Sequence, residues 1–143
     1  MTAYLLDVNV LLALVDPLHV HHEPAHRWFA RRGNTAWASC PITENGLVRI
    51  LSSPKYPNSP GGASEALSIL RGLCAHAGHH FWADDVSLCD QVDPAAAMTH
   101  AQVTDVYLLA LAVHRGGALA TFDGRVPSSV VAGGSSSVEL IPA

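Results

Sequence analysis

"AYLLDVNVLLALVD", residues 3–16, decides the fold. Ala3 to Leu6 is apolar enough for a short buried strand, and Val8 to Val15 carries the spacing of a helix that Asp16-Pro17 stops. Asp7 and Asn9 sit where the two elements join, polar residues in a stretch otherwise built for burial. A strand running directly into a helix is the start of a βα unit, and the rest of the chain repeats the alternation. His22 to Arg32 reads as a second helix, with Pro24 in its first turn and Gly33-Asn34 ending it. Thr35 to Ser39 fits a strand, and Pro41 opens a third helix running to about Ser52. "SSPKYPNSPGG" is loop, Ala63 to His76 a fourth helix, and "HHFWADD" carries another strand. Thr104 to Arg115 is a strongly apolar helix, "ALATF" a strand, "VAGGSSS" a flexible connection and "VELI" the last strand. The pattern predicts an α/β fold, a mostly parallel central sheet with helices on both faces, in one domain over residues 1–143.

Composition narrows the function. The chain has 143 residues, is 49% apolar and carries a net charge of -4, with eight Lys and Arg that form no run. No basic footprint announces nucleic acid, so any such contact must be local. No apolar run approaches the ~20 residues of a membrane span, and "MTAYLLD" lacks the basic start of a secretory signal. The expectation is a cytoplasmic protein without a membrane partner. Cys40, Cys74 and Cys89 are odd in number, widely spaced and form no CxxC pair, so they are expected to be reduced and mostly packed.

In a parallel sheet, ligands bind outside the carboxyl ends of the strands. Asp7 follows the first strand directly and Asp123 follows "ALATF", so both belong at that rim. Glu44 and Asp105 sit close to helix starts. Leu47, Val48 and Leu51 follow Glu44 at i+3, i+4 and i+7, and Leu108, Leu109 and Ala112 follow Asp105 in the same way. Each acid therefore heads a stripe that must be buried. Taken singly, the four could be helix caps, partners of helix dipoles or turn residues. Taken together on one rim, they would repel and raise one another's pKa unless a cation were present. Hard ions such as Mg2+ or Mn2+ suit such oxygen ligands.

"LLDVNVLLAL", "ITENGLVRIL", "TDVYLLALA" and "ATFDGRV", in that order and at these separations, resemble the PIN-domain ribonucleases, above all the toxin (VapC) half of VapBC toxin–antitoxin pairs. No single piece is specific; the ordered set, spanning essentially the whole chain, is. The resemblance implies Asp7, Glu44, Asp105 and Asp123 as an acidic pocket, with Asn9 and Thr121 in support. It implies a hydrolase that cleaves RNA with Mg2+ or Mn2+ to inhibit growth or translation, a homodimer, and a cognate VapB-type antitoxin lying across the groove.

Within that frame Asp7, at a strand end, and Asp105, at the head of the most apolar helix, are the expected metal ligands. Glu44 and Asp123 would act through water or with a second ion, and Asn9 would orient Asp7 or a water. Arg49, Lys55 and Arg125 are the expected phosphate contacts, and Trp82 or Tyr56 could stack on bases. The faces around Trp28 and Phe29, and from Ala63 to Leu73, could serve partners or the core.

Two alternatives stand beside this. The first is a non-catalytic module whose acidic groove receives a basic peptide. The second is a zinc metalloprotease through His22, Glu23 and His26, since "HEPAH" matches H-E-x-x-H literally. Pro24 argues against the latter, because it marks the helix start and leaves His22 without an assured i, i+4 relation to His26. His19, His21 and His22 are expected to be surface loop residues.

Overall fold

The computed structural model describes residues 2–143. Five strands, β1 (Tyr4–Leu6), β2 (Trp37–Ser39), β3 (His79–Phe81), β4 (Ala118–Thr121) and β5 (Val138–Leu140), form one sheet in the order β3-β2-β1-β4-β5. Every pairing in it is parallel. The helices are α1 (Val8–Val15), α2 (His22–Trp28), α3 (Pro41–Leu51), α4 (Ala63–Cys74), α5 (Leu88–Gln91) and α6 (Val103–His114).

Alternation along the strands divides the core in two. Tyr4, Leu6, Trp37, Ala118 and Ala120 pack with α1 to α4 on one face, whereas Leu5, Ala38 and Leu119 pack with α6 on the other. Strands buried on both faces read as unbroken apolar runs, which is why β1 and β4 are legible in sequence. α6 has a nearly continuous buried run, Val106 and Leu108 to Ala112, because it lies against the sheet and is itself covered by Val130 and Val131.

Three departures from the predicted elements have local causes. The second helix does not run regularly to Arg32. From Phe29 to Gly33 it widens into a π-helical turn, closed by the Asn34 N–H donating to the Phe29 carbonyl at 2.9 Å. The Trp28 ring covers Gly33 so closely that a Cβ there would lie 2.7 Å from it. Second, α5 and the 3-10 turn His100–Gln102 lie in a stretch with no predicted element, since four- and three-residue elements are too short to show a period. Third, "HHFWADD" is strand only over its first three residues, and Trp82 turns into the core under α6.

Several side chains held open for partners are spent inside. Trp82 is 8% exposed and so offers no face to a base. Tyr56 donates its hydroxyl to Asp16 Oδ2, which also accepts from Asn58 at 3.0 Å, while Asp16 Oδ1 accepts the Leu18 N–H at 2.9 Å. Asp16 thus pins the Pro-rich loop to the end of α1. Trp28 is buried and donates Nε1–H to Glu139 at 2.9 Å, tying α2 to β5. In α4, Ala66 and Leu70 are buried, while Leu67 stays exposed. No helix among the described residues is long and apolar enough to cross a membrane.

Candidate active site

The strand order places the site. From β1 the chain moves outward through β2 to β3, then returns to the other side of β1 for β4 and β5. The direction of winding switches between β1 and β4, where an open parallel sheet leaves a crevice at its carboxyl edge. Leu6 pairs with Ala120 across that junction, so Asp7 and Thr121 emerge level with each other. Gly117 allows the approach at the other end: a Cβ there would lie 2.4 Å from the Ala3 carbonyl oxygen.

Asp7 is buried at the N-terminus of α1, near the first N–H groups of that helix but without a well-formed capping hydrogen bond to them. Thr121 donates its hydroxyl to Asp7 Oδ2 at 2.9 Å, and the same hydroxyl oxygen accepts the Asp123 N–H at 3.0 Å. One buried hydroxyl therefore couples the end of β1 to the turn that presents Asp123. Burial raises the pKa of Asp7; the Thr121 hydroxyl and the N–H groups of Val8 and Asn9 oppose the rise, and the charge of Asp123 adds to it. Asp105, in the first turn of α6, is pushed up to about 6, by burial first and then by the charges of Asp7 and Asp123. Asp123 lies below the ordinary range because Arg125 bonds it through both side chain and backbone. The Arg125 Nε to Asp123 Oδ1 distance is 3.0 Å.

Asp7 and Asp123 are thus joined through Thr121, and the charges of both act on Asp105, although the oxygens of the three do not all lie within 4.8 Å of one another. Glu44 is set apart from it. Ser39 donates its hydroxyl to Glu44 Oε2 at 2.6 Å, and the same Ser39 oxygen lies 2.7 Å from His79 Nε2. Among the described residues, Glu44, Cys74 and His79 are the group of three whose ligand atoms all fall within 4.8 Å of one another. The predicted quartet is therefore a trio plus an acid turned toward β3. Spacing along α3 sets the helical face on which Glu44 stands, but its bond to Ser39 and its closeness to β3 depend on pairing in the sheet.

The other predicted residues divide in the same way. The Asn9 side chain is exposed and makes no hydrogen bond to Asp7; Thr121 orients that carboxylate instead. Asn9 lines a cavity of about 520 Å³ with His19, His21, Phe122, Asp123 and Arg125. His19 and His21 are thus more than loop surface. His21 stacks on Phe122 with ring centroids 4.6 Å apart, and only long-range packing reveals it. Arg125 stands beside the acids. Arg49 and Lys55 flank a separate cavity of about 320 Å³ near the C-terminal end of α3.

The H-E-x-x-H match has helical geometry after all. α2 begins at His22, and the His22 and His26 rings lie 4.4 Å apart. One nitrogen of each is bonded, His22 Nδ1 to the Ala13 carbonyl at 2.7 Å and His26 Nε2 to the Leu14 carbonyl at 2.8 Å, and among the described residues neither histidine belongs to a cluster of three possible ligands. They satisfy the open carbonyls at the end of α1.

The PIN-domain profile matches residues 4–129, most of the chain. The chain belongs to the PIN-domain family. This PIN domain is 45% identical over 131 residues to ribonuclease VapC44 of Mycobacterium tuberculosis, covering 90% of this chain and 92% of that one. It is 46% identical over 135 residues to ribonuclease VapC39 of the same organism, covering 93% and 96%. Among solved structures it resembles Mycobacterium tuberculosis VapC20, a Sarcin-Ricin loop cleaving toxin, with TM-score 0.61, 10% identity and coverage of 90% and 95%. It also resembles a chain of Rickettsia felis VapBC2 bound to a promoter DNA fragment, with TM-score 0.57, 13% identity and coverage of 99% and 100%. The structural likenesses speak to fold alone, whereas the sequence likenesses mark a close relative of the Mycobacterium VapC ribonucleases.

Proposed function

We propose that this PIN domain is a Mg2+- or Mn2+-dependent endoribonuclease, the toxin of a VapBC-type pair. The observation that carries the reading is the convergence of Asp7, Asp105 and Asp123, two of them held above the ordinary carboxylate range by burial and mutual repulsion. Arg125 neutralises part of one acid only. Such an excess of oxygen charge fits a hard divalent cation. When bound, the ion lowers the pKa of a water toward neutrality and stabilises charge on the phosphoryl oxygens.

In this reading Asp7 and Asp105 hold the ion, and Asp123 and Glu44 act through water or with a second ion. Thr121 positions Asp7. Arg125, beside the acids, meets the RNA backbone; Arg49 and Lys55, in their separate cavity, extend that contact along the strand. The close relatives named as VapC ribonucleases support an RNA substrate. The likeness to VapC ribonucleases supports a VapB-type antitoxin as partner. Arg125 sets a guanidinium on one of these acids, Asp123, and a basic antitoxin side chain would make the same kind of contact. The reading is completed by a homodimer acting in the cytoplasm.

The test is cleavage of transfer, ribosomal and messenger RNA by the purified chain. Cleavage should stop on chelation and return with Mg2+ or Mn2+. Cleavage indifferent to chelator would overturn the reading. Failure to cut any of the three RNAs, with tight binding of a basic peptide, would favour the binding module instead.

Thr121→Val should raise the Mg2+ concentration needed for half-maximal cleavage about ten-fold. It removes the bond that favours ionised Asp7 and strands the Asp123 N–H, at about 1–2 kcal/mol. Thr121→Ser, which keeps the hydroxyl, should restore most of the affinity; an equal loss in both variants would assign Thr121 to packing alone.

A further inference from the structure

We propose that Glu44, Cys74 and His79 form a second metal site, one that takes a softer ion of the Zn2+ class. The three come from separate elements, the first turn of α3, the last residue of α4 and the first residue of β3. All are half-buried, and their ligand atoms lie within 4.8 Å of one another. Tetrahedral zinc, with bonds of about 2.0–2.3 Å to nitrogen, oxygen and sulfur, holds its ligands roughly 3.3–3.8 Å apart. Closing on the ion therefore asks for side-chain movements on the order of 1 Å.

The donor set decides the kind of ion. Asp7, Asp105 and Asp123 offer oxygen alone, which suits Mg2+ and Mn2+. A thiolate, an imidazole and a carboxylate suit Zn2+, and the thiolate disfavours Mg2+. On binding, the Cys74 S–H bond breaks, the proton passes to solvent and the sulfur supplies an electron pair; the carboxylate and the imidazole each supply a lone pair, and a water completes the set. Fully buried Ser39 supports the site from beneath. Its single hydroxyl hydrogen goes to Glu44, so the 2.7 Å contact has the His79 Nε2–H donating to the Ser39 oxygen in the metal-free chain. Both ligands are thereby held toward each other by one group, the outer-shell support that metal ligands need.

Glu44 belongs to both readings. An ion held here keeps it turned toward β3 and away from Asp7, Asp105 and Asp123, which would lower Mg2+-dependent cleavage. That consequence rests on the nuclease reading; the site itself does not.

The experiment titrates the reduced, metal-free full chain with Zn2+ alone by calorimetry, and with Co2+ as a spectroscopic stand-in. The expected result is one tight Zn2+ per chain and a thiolate-to-cobalt charge-transfer band. Cys74→Ser and Cys74→Ala should each abolish the band, and with His79→Gln should weaken Zn2+ binding about ten-fold or more. Asp7→Asn should leave Zn2+ affinity unchanged. Circular dichroism and melting curves establish that each variant is folded. No thiolate band, or unchanged affinity in both cysteine variants, would overturn the site and move the zinc to other groups such as His19, His21 or Cys89. In a parallel RNA assay with Mg2+ in excess, one equivalent of Zn2+ should inhibit the native chain and spare Cys74→Ser. Zinc binding without inhibition would overturn the regulatory consequence. A chain that never cuts RNA would count against the nuclease reading while the zinc titration stands.

Discussion

Replacing Asp7 with Asn is expected to lower metal-dependent RNA cleavage about a thousand-fold or more while leaving the chain folded and somewhat more stable. The two effects share a cause. Asp7 is buried and makes no well-formed capping hydrogen bond to α1. Asn retains the shape and an acceptor for the Thr121 hydroxyl but removes a charge that burial and Asp123 both disfavour. A loss of about a thousand-fold is about 4 kcal/mol of transition-state stabilisation, within the several kcal/mol that a catalytic ion supplies. Asp105→Asn should behave alike. Glu44→Gln should cost less, since Glu44 bonds Ser39 and faces β3. Single-turnover cleavage with melting curves checks the set; an Asp7→Asn chain that still cuts at the native rate removes the metal-ligand role.

In chelator, stability is expected to fall as pH rises from about 4 to about 6, and Mg2+ should abolish the fall. Asp105 titrates at about 6 in the folded chain and near its ordinary value when unfolded. Between those limits the unfolded state has released its proton and the folded state has not, so raising the pH favours unfolding. Asp7 is shifted the same way, whereas the exposed Asp123–Arg125 pair opposes weakly. Asp105 is partly open to solvent, so screening leaves about 1–2 kcal/mol for its share. Above pH 6 a bound cation replaces the missing protons and stabilises the fold. Denaturant unfolding across pH, with and without Mg2+, measures this. Asp105→Asn should flatten most of the dependence; a native chain whose stability rises over the same interval would contradict the assigned repulsion.

What the sequence made legible follows from where hydrophobic pattern meets connectivity. β1 and β4 are apolar runs that end in acids, so Asp7 and Asp123 could be placed at one edge before any coordinates. The burial stripe behind Asp105 put it at the lip of the core. Glu44 has the same signature, yet its side chain turns toward Ser39 and His79, because β2 and β3 pair next to it and no local pattern encodes that register. Thr121 was legible as a supporting group, but its joint hold on Asp7 and the Asp123 N–H depends on β1 and β4 lying level. His22 and His26 show the opposite failure. Their helical spacing is real, but one nitrogen of each bonds a carbonyl at the end of α1 and no third ligand joins them, and a spacing rule cannot see either fact. Cys74 carries no sequence signal beyond packing, and only the fold brings it to a carboxylate and an imidazole.

Asp7 and Asp105 are proposed to share one hard cation. Anomalous diffraction from crystals grown with Mn2+ tests this directly. The expected result is a peak at roughly 2.1 Å from a carboxylate oxygen of each residue, with Asp123 close by. A peak held by only one of the two, or found only at Glu44, would contradict it.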